Sequence, residues 1–263
     1  MSFSSDAQPK ATQTFQIDLN ADLGESFGNY HLGCDDDLLT LISSANIACG
    51  FHAGDPITLL HTVKNAHDNG VRIGAHPGYR DLAGFGRRRM DYSYTELYAE
   101  IIYQLGAIDA AARSTGARLE YVKPHGALYN TIAHDEQQAR AVIDAIINFN
   151  PQLKLMALAG SQIVHWAQKT GLQVIQEAFA DRAYTNQGTL VPRSQQGAVH
   201  TNADVVIAQA LALATQQPVQ TSDGSSLLIQ ADSICVHGDN PQALLLIQQI
   251  KKELSSAGVQ ISA

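Results

Sequence analysis

Four histidines stand where chemistry could be done. They occur in Cys49-Gly50-Phe51-His52, Ala75-His76-Pro77, Pro124-His125-Gly126 and Val236-His237-Gly238-Asp239, each just past an apolar, strand-like run and beside glycine or proline. Histidine titrates nearest neutral pH, so it can give or take a proton in a reacting site. His125 follows Lys123-Pro124, so a cation and an imidazole leave one strand end side by side. A lysine placed there can bind an anionic group or shift its own pKa. Acidic residues fall at comparable places: Asp18, Asp22, Glu25, Glu177, Asp181 and Asp239. Convergent imidazoles and carboxylates suit acid–base or metal-assisted hydrolysis. Any one of these histidines could instead pin a loop, but four at equivalent places argue for a shared face.

Other chemistries leave weaker marks. No His-Glu-x-x-His or Cys-x-x-Cys spacing is present, so a bound metal is left open, to be built only from ligands distant in sequence. Asp18, Asn20 and Asp22 alternate and would share one face of an extended strand. Cys49 and Cys235 lie beside the histidines and read as small buried apolar groups. There is no Gly-x-x-x-x-Gly-Lys-Ser/Thr and no Gly-x-Gly-x-x-Gly after a strand, so a nucleotide would need another fold, another subunit or backbone amides. Gly84-Phe85-Gly86 followed by Arg87-Arg88-Arg89 is either a lid whose arginines meet a carboxylate or phosphate, or a solvated loop with local ion pairs.

The elements that must position these residues alternate along the chain. Strands are expected at about 15–19, 45–49, 71–75, 119–122, 153–158, 173–178 and 233–236, with 20–25 and 119–130 running on into loops. Short helical pieces are expected at 38–43 and 162–169, and longer helices at 135–148, 203–214 and 242–254. Asp55-Pro56 opens a further helix that Gly70 closes, and Ser93 with Glu96 forms a capping box ahead of another. Strands separated by helices mean a parallel sheet with crossover helices. Seven such units without a linker predict an α/β fold, a (β/α) barrel of about seven parallel strands, with an open doubly wound sheet as the alternative. In a barrel all the strand ends named above meet on one face.

Bulk properties agree. The chain has 263 residues, 45% hydrophobic and only 16% charged, with net charge −8. That is a compact body without the basic footprint of a nucleic-acid binder. Residues 1–14 read as a frayed tail, and 15–263 as a single barrel domain. With three scattered cysteines and no long apolar run, the expectation is a cytoplasmic protein that neither crosses nor binds a membrane.

The motifs together resemble the LamB/YcsF family, which comprises the A subunits of bacterial ATP-hydrolysing 5-oxoprolinases. The residues that carry the resemblance are Asp18 to Gly28, Ser44 to Pro56, Gly74 to Tyr79, Gly84 to Arg88, Lys123 to Asn130, Phe179 to Arg182 and Cys235 to Asp239. It spans about 15–260, and the one departure is Arg80, where the pattern has proline or another small residue.

The resemblance implies a barrel akin to the glycoside hydrolase/deacetylase superfamily. It implies hydrolysis of 5-oxo-L-proline to L-glutamate, coupled to conversion of ATP, with magnesium, to ADP and phosphate, in a complex with the B and C subunits. Catalytic roles then fall to Asp22, His52, His76, Lys123, His125, Glu177, Asp181 and His237, and substrate contacts to Asn20, Asn46, Arg87, Arg182 and Asp239. Lys123 and Arg182 are expected at the phosphate or the substrate carboxylate, and the histidines at proton transfer. Two rival readings remain. One is a stand-alone metal-dependent amidase or deacetylase acting on a small or carbohydrate substrate. The other is a non-catalytic partner that stabilises the proteins carrying the ATP chemistry.

Overall fold

The computed structural model describes residues 15–237 and 241–263. The expected tail at 1–14 and Asp239 lie outside the described residues. In chain order the elements are β1 (Phe15–Leu23), α1 (Asp35–Leu38), β2 (Ser44–Ala48), α2 (Pro56–Asp68), β3 (Arg72–His76), α3 (Tyr94–Ser114), β4 (Leu119–Val122), α4 (Gly126–Ile132) and α5 (Glu136–Phe149). There follow β5 (Lys154–Leu158), α6 (Gln162–Lys169), β6 (Val174–Phe179), α7 (Ala203–Ala214), β7 (Val219–Gln220), β8 (Ser226–Leu227), β9 (Ser233–Cys235), α8 (Pro241–Ser256) and β10 (Val259–Ile261).

Seven parallel strands close into a barrel in the order β1, β2, β3, β4, β5, β6, β9, with β9 pairing back onto β1. The first strand has three partners along its length. Its start pairs with β10, its middle with β9 and its end with β2. All seven expected strands are present. The first is longer than expected, because Asn20 to Leu23 continue the strand instead of opening a loop. The alternation holds as read: Ile17, Leu19, Ala21 and Leu23 face the apolar layer under the helices, while Asp18, Asn20 and Asp22 share the other face and bond polar groups inside the barrel.

The inside of the barrel is thus built in tiers. Asp18 accepts from Ser44 and Ser233 and pairs with Arg72. Above it come Asn20, Asn46 and Tyr121, then Asp22, His76, Lys123, Glu177 and Cys235 toward the C-terminal ends. Tyr121, Met156 and Ile175 form a small apolar cluster on the β4–β6 side. Gly74 makes room for it: a Cβ there would lie 2.2 Å from the Tyr121 ring.

Helix boundaries follow the capping chemistry. Asp55 accepts from the Ile57 and Thr58 amides with Pro56 in the first turn, and the Ser93–Glu96 capping box is complete. The first short helix begins earlier than expected, at Asp35, because its three aspartates occupy the first turn, where negative charge suits the helix dipole. The helix α4, expected as loop, starts directly after His125. Its Gly126 takes φ +52°, and its Ala127 amide donates to Gly86 O at 2.9 Å. No helix among the described residues is long and apolar enough to cross a membrane.

Candidate active site

The strand ends bring the expected side chains together. Lys123, one residue past β4, is buried, and its Nζ lies 2.9 Å from Asp22 Oδ1, 2.8 Å from Glu177 Oε1, 3.1 Å from Asn20 Oδ1 and 3.3 Å from Cys235 Sγ. An ammonium has three N–H donors, so every one is engaged by the barrel. Burial works against this charge, but Asp22 and Glu177 outweigh it and hold the ammonium well above the usual lysine value. Burial likewise opposes the charge of Asp22, yet His76 and Lys123 prevail and keep its carboxyl well below the usual range. Asn46 Nδ2 donates to Asn20 Oδ1 and to Asp22 Oδ1, both at 2.8 Å, and Asn46 Oδ1 accepts from the Tyr121 hydroxyl at 2.6 Å. Asn20 and Asn46 therefore sit beneath Asp22 as its supports, fully buried, rather than on the open face where a substrate contact was expected.

Three imidazoles crown this layer. His76 Nδ1 lies 2.6 Å from Lys123 O, and His125 Nε2 lies 2.9 Å from Phe85 O. A carbonyl only accepts, so both of these nitrogens carry the hydrogen. The remaining nitrogens, His76 Nε2 and His125 Nδ1, face each other at 2.9 Å. Asp22 Oδ2 is 3.3 Å from His76 Nε2. His52 stacks on His125, with centroids 3.7 Å apart and planes 3° from parallel. Its Nε2 is 3.1 Å from Glu25 Oε1, which is also 3.5 Å from His125 Nδ1. Burial, and then the neighbouring imidazoles, hold His52 and His125 well below the usual histidine value. Burial, and then the charge of Asp22, push Glu25 up. Glu25, His52, His76 and His125 present donor atoms all within 4.8 Å of one another and form a group able to hold a metal ion.

This packing needs Gly86. Its φ is +61°, and a Cβ would meet His52 Cβ at 2.7 Å and His125 Cδ2 at 2.8 Å.

A second dyad lies on the same face. His237 Nδ1 is 2.8 Å from Asp181 Oδ2, and Arg193 Nη2 reaches His237 Nε2 at 3.3 Å. Burial opposes the His237 charge, but the bond to Asp181 outweighs it and raises the imidazole. Phe179 lies between the two groups, with its ring 5.8 Å from Lys123 Nζ and 6.5 Å from the His237 ring.

Other expected site residues are placed differently. Arg182 is turned into its own loop, donating to Ala198 O at 3.2 Å and to Val191 O at 2.7 Å. It shapes the segment that carries Arg193 instead of reaching a substrate anion. In the basic run, Arg88 pairs with Asp81, and Arg89 lies near Asp91 and Asp135. Arg87 rests over the Phe85 ring at 5.1 Å and has no carboxylate partner among the described residues. The sequence pointed to Glu25 only as one acidic residue among several, although it lies in a strand-end loop like the histidines. Arg193 and the Phe85 carbonyl carried no signal, since each reaches the site through a loop fold that periodicity does not encode.

The LamB/YcsF family model matches residues 17–263. The chain is 60% identical over 246 residues to the 5-oxoprolinase A subunit of Corynebacterium glutamicum strain R, covering 94% of this chain and 98% of that one. It is 42% identical to the Lactam Utilization Protein from Thermus thermophilus, whose crystal structure matches with a TM-score of 0.90 over 94% of this chain and 99% of that one. A family 4 carbohydrate esterase from Streptomyces lividans shares the barrel fold at 12% identity, with a TM-score of 0.51 over 95% of this chain and 92% of that one. The strand-end motifs that build the site all fall inside the matched span, and the chain belongs to the LamB/YcsF family.

Proposed function

We propose that this chain is the A subunit of a cytoplasmic ATP-dependent 5-oxoprolinase, a hydrolase of the cyclic amide 5-oxo-L-proline that works with partner subunits B and C. The observation that carries the reading is the 60% identity to a protein of that name over nearly the whole of both chains. The site suits the chemistry. A lactam is an unactivated amide, so its hydrolysis near neutral pH faces a high barrier. Transfer of the ATP γ-phosphoryl group to the lactam oxygen makes the ring carbon a better electrophile and releases ADP. Water then adds to that carbon and the C–N bond breaks toward nitrogen, leaving a γ-glutamyl phosphate, whose acyl–phosphate bond a second water cleaves to give L-glutamate and phosphate. No glycine-rich phosphate loop follows a strand, so ATP, with magnesium, is assigned to the assembled complex.

Within this chain the residues divide by position. His52, His76 and His125 line the pocket in which the attacking water sits, and the Asp22 carboxylate beside them accepts its proton. Lys123 acts through Asp22 and Glu177, fixing their charge and geometry, since none of its N–H groups is free. The His237–Asp181 dyad supplies the proton that the departing ring nitrogen takes up. Arg87, without a carboxylate partner among the described residues, meets the substrate carboxylate or the phosphorylated oxygen.

The test is glutamate formation from 5-oxo-L-proline with ATP, by the chain with and without the B and C subunits. Turnover is expected only in the full set. Asp22→Asn should lower it by about 10²–10⁴-fold, the usual worth of a positioned general base. Near-normal turnover of Asp22→Asn in an intact complex removes the assignment of Asp22. Absence of any ATP-dependent turnover by the wild-type set removes the reaction.

A further inference from the structure

We propose that Glu25, His52, His76 and His125 bind one divalent first-row transition ion of the zinc type, distinct from any magnesium that accompanies ATP. The argument begins with the hydrogens. His76 gives its Nδ1–H to Lys123 O and His125 gives its Nε2–H to Phe85 O, at 2.6 and 2.9 Å. With those hydrogens placed, the two rings turn their remaining nitrogens toward each other at 2.9 Å. Nothing in either ring can bridge that gap, so a shared electrophile must lie at the pair, either an extra proton or a metal ion.

The surroundings favour the ion. Two more donors converge on the same point, His52 Nε2 at 3.1 Å from Glu25 Oε1, and Glu25 Oε1 at 3.5 Å from His125 Nδ1. Neighbouring ligands on an ion with bonds of about 2.0–2.1 Å are about 2.9–3.4 Å apart, and opposite ones about 4.1 Å apart. The observed separations, all within 4.8 Å, need adjustments of at most about 1.5 Å to reach the spacing of about 3.3–3.4 Å around a tetrahedral ion. Backbone carbonyls that hold the outer nitrogens of two ligands are the usual second layer around such an ion. Three imidazoles with one carboxylate suit zinc, cobalt, manganese or iron, whereas magnesium prefers oxygen ligands. Asp22, 3.3 Å from His76 Nε2, stays beside the ion as a carboxylate that is not needed for ligation.

The full chain, stripped with a chelator and dialysed separately against zinc, manganese, cobalt or magnesium, is read by ion content, by calorimetry and, for cobalt, by visible absorption. About one equivalent of zinc or cobalt per chain is expected, with visible ligand-field bands for cobalt and no retained magnesium. Glu25→Gln and His125→Ala should each weaken zinc binding at least about tenfold. If His125→Ala does not fold, Glu25→Gln, a near-isosteric change in the loop after β1, carries the test alone. Folded wild-type chain that retains none of the transition ions overturns the proposal, as does zinc binding unchanged in Glu25→Gln. A nitrogen NMR signal for a proton shared by His76 and His125 in zinc-treated protein does so too. These readouts are independent of turnover, so they stand or fall apart from the reaction assigned above.

Discussion

At the scale of single residues, the site rests on a buried cation with two carboxylates. Lys123 is buried, Glu177 is wholly so, and Asp22 is open only toward the mouth of the barrel. Replacing one partner of such a set leaves the others charged in a poorly solvated place, which costs about 3–5 kcal/mol. Lys123→Met, which keeps the stem and removes the charge, should therefore lower unfolding free energy by about that amount in urea titration at neutral pH. A loss below about 1 kcal/mol, the range of exposed pairs, would show that Glu177 and Asp22 find other partners and that Lys123 does not organise them. The same residue shows what sequence could and could not tell. Lys123-Pro124-His125 at a strand end announced a site. That the lysine points inward, with all three donors taken, depends on Asn20, Glu177 and Cys235, which lie 103, 54 and 112 positions away. No local pattern holds that information.

At the scale of elements, the loop after β1 and the helix α1 brace the cluster from outside. Asp35 opens α1 and accepts from the Gly24 amide at 2.8 Å, next to Glu25. Burial, only partly offset by that amide, pushes the Asp35 carboxyl up to about 6, against an ordinary value of 3.8. Between these two values the folded chain holds more protons at this site than the unfolded chain, so stability falls as pH rises through the window and then levels off above it. Asparagine keeps the acceptor and removes the charge. The stability of Asp35→Asn relative to wild type should thus climb from pH 4 to pH 6 and stay flat beyond, by at most about 3 kcal/mol. Urea midpoints across that range measure it, and a difference that does not change with pH would place Asp35 in water. The helices themselves were legible because capping is local: Asp55-Pro56 and Ser93 with Glu96 lie within four residues of what they cap. The strand β10 and the β7–β8 hairpin were not, since each has only two or three paired residues and its pairing is set by tertiary contacts.

At the scale of the whole molecule, closure is the decisive event, because β1 and β9 come from opposite ends of the chain and must meet before Cys235 and His237 join the site. Asp18 secures that seam. Its carboxylate accepts from Ser43 and Ser44 at 2.6 Å and from Ser233 of β9, and it pairs with Arg72 of β3 at 3.2 Å. The backbone bonds Asp18 N to Asp232 O, at 3.1 Å, and Val236 N to Asn20 O, at 2.9 Å, run along the same seam. A TIM-type barrel fills its interior with branched apolar side chains; here a polar network ties the strands from within, so losing one carboxylate loosens a joint more than it opens a void. Asp18→Ala should cost about 3–5 kcal/mol, since Arg72 loses its counter-ion inside the barrel. The loss should also be uneven. Native-state hydrogen exchange is expected to quicken first at the amides of Asp18 and Val236, while Leu155, whose amide bonds Gln173 O at 2.9 Å on the far side, keeps its protection. A drop shared equally by all three amides would mean that the barrel opens only as one unit and that the seam is no weaker than the rest.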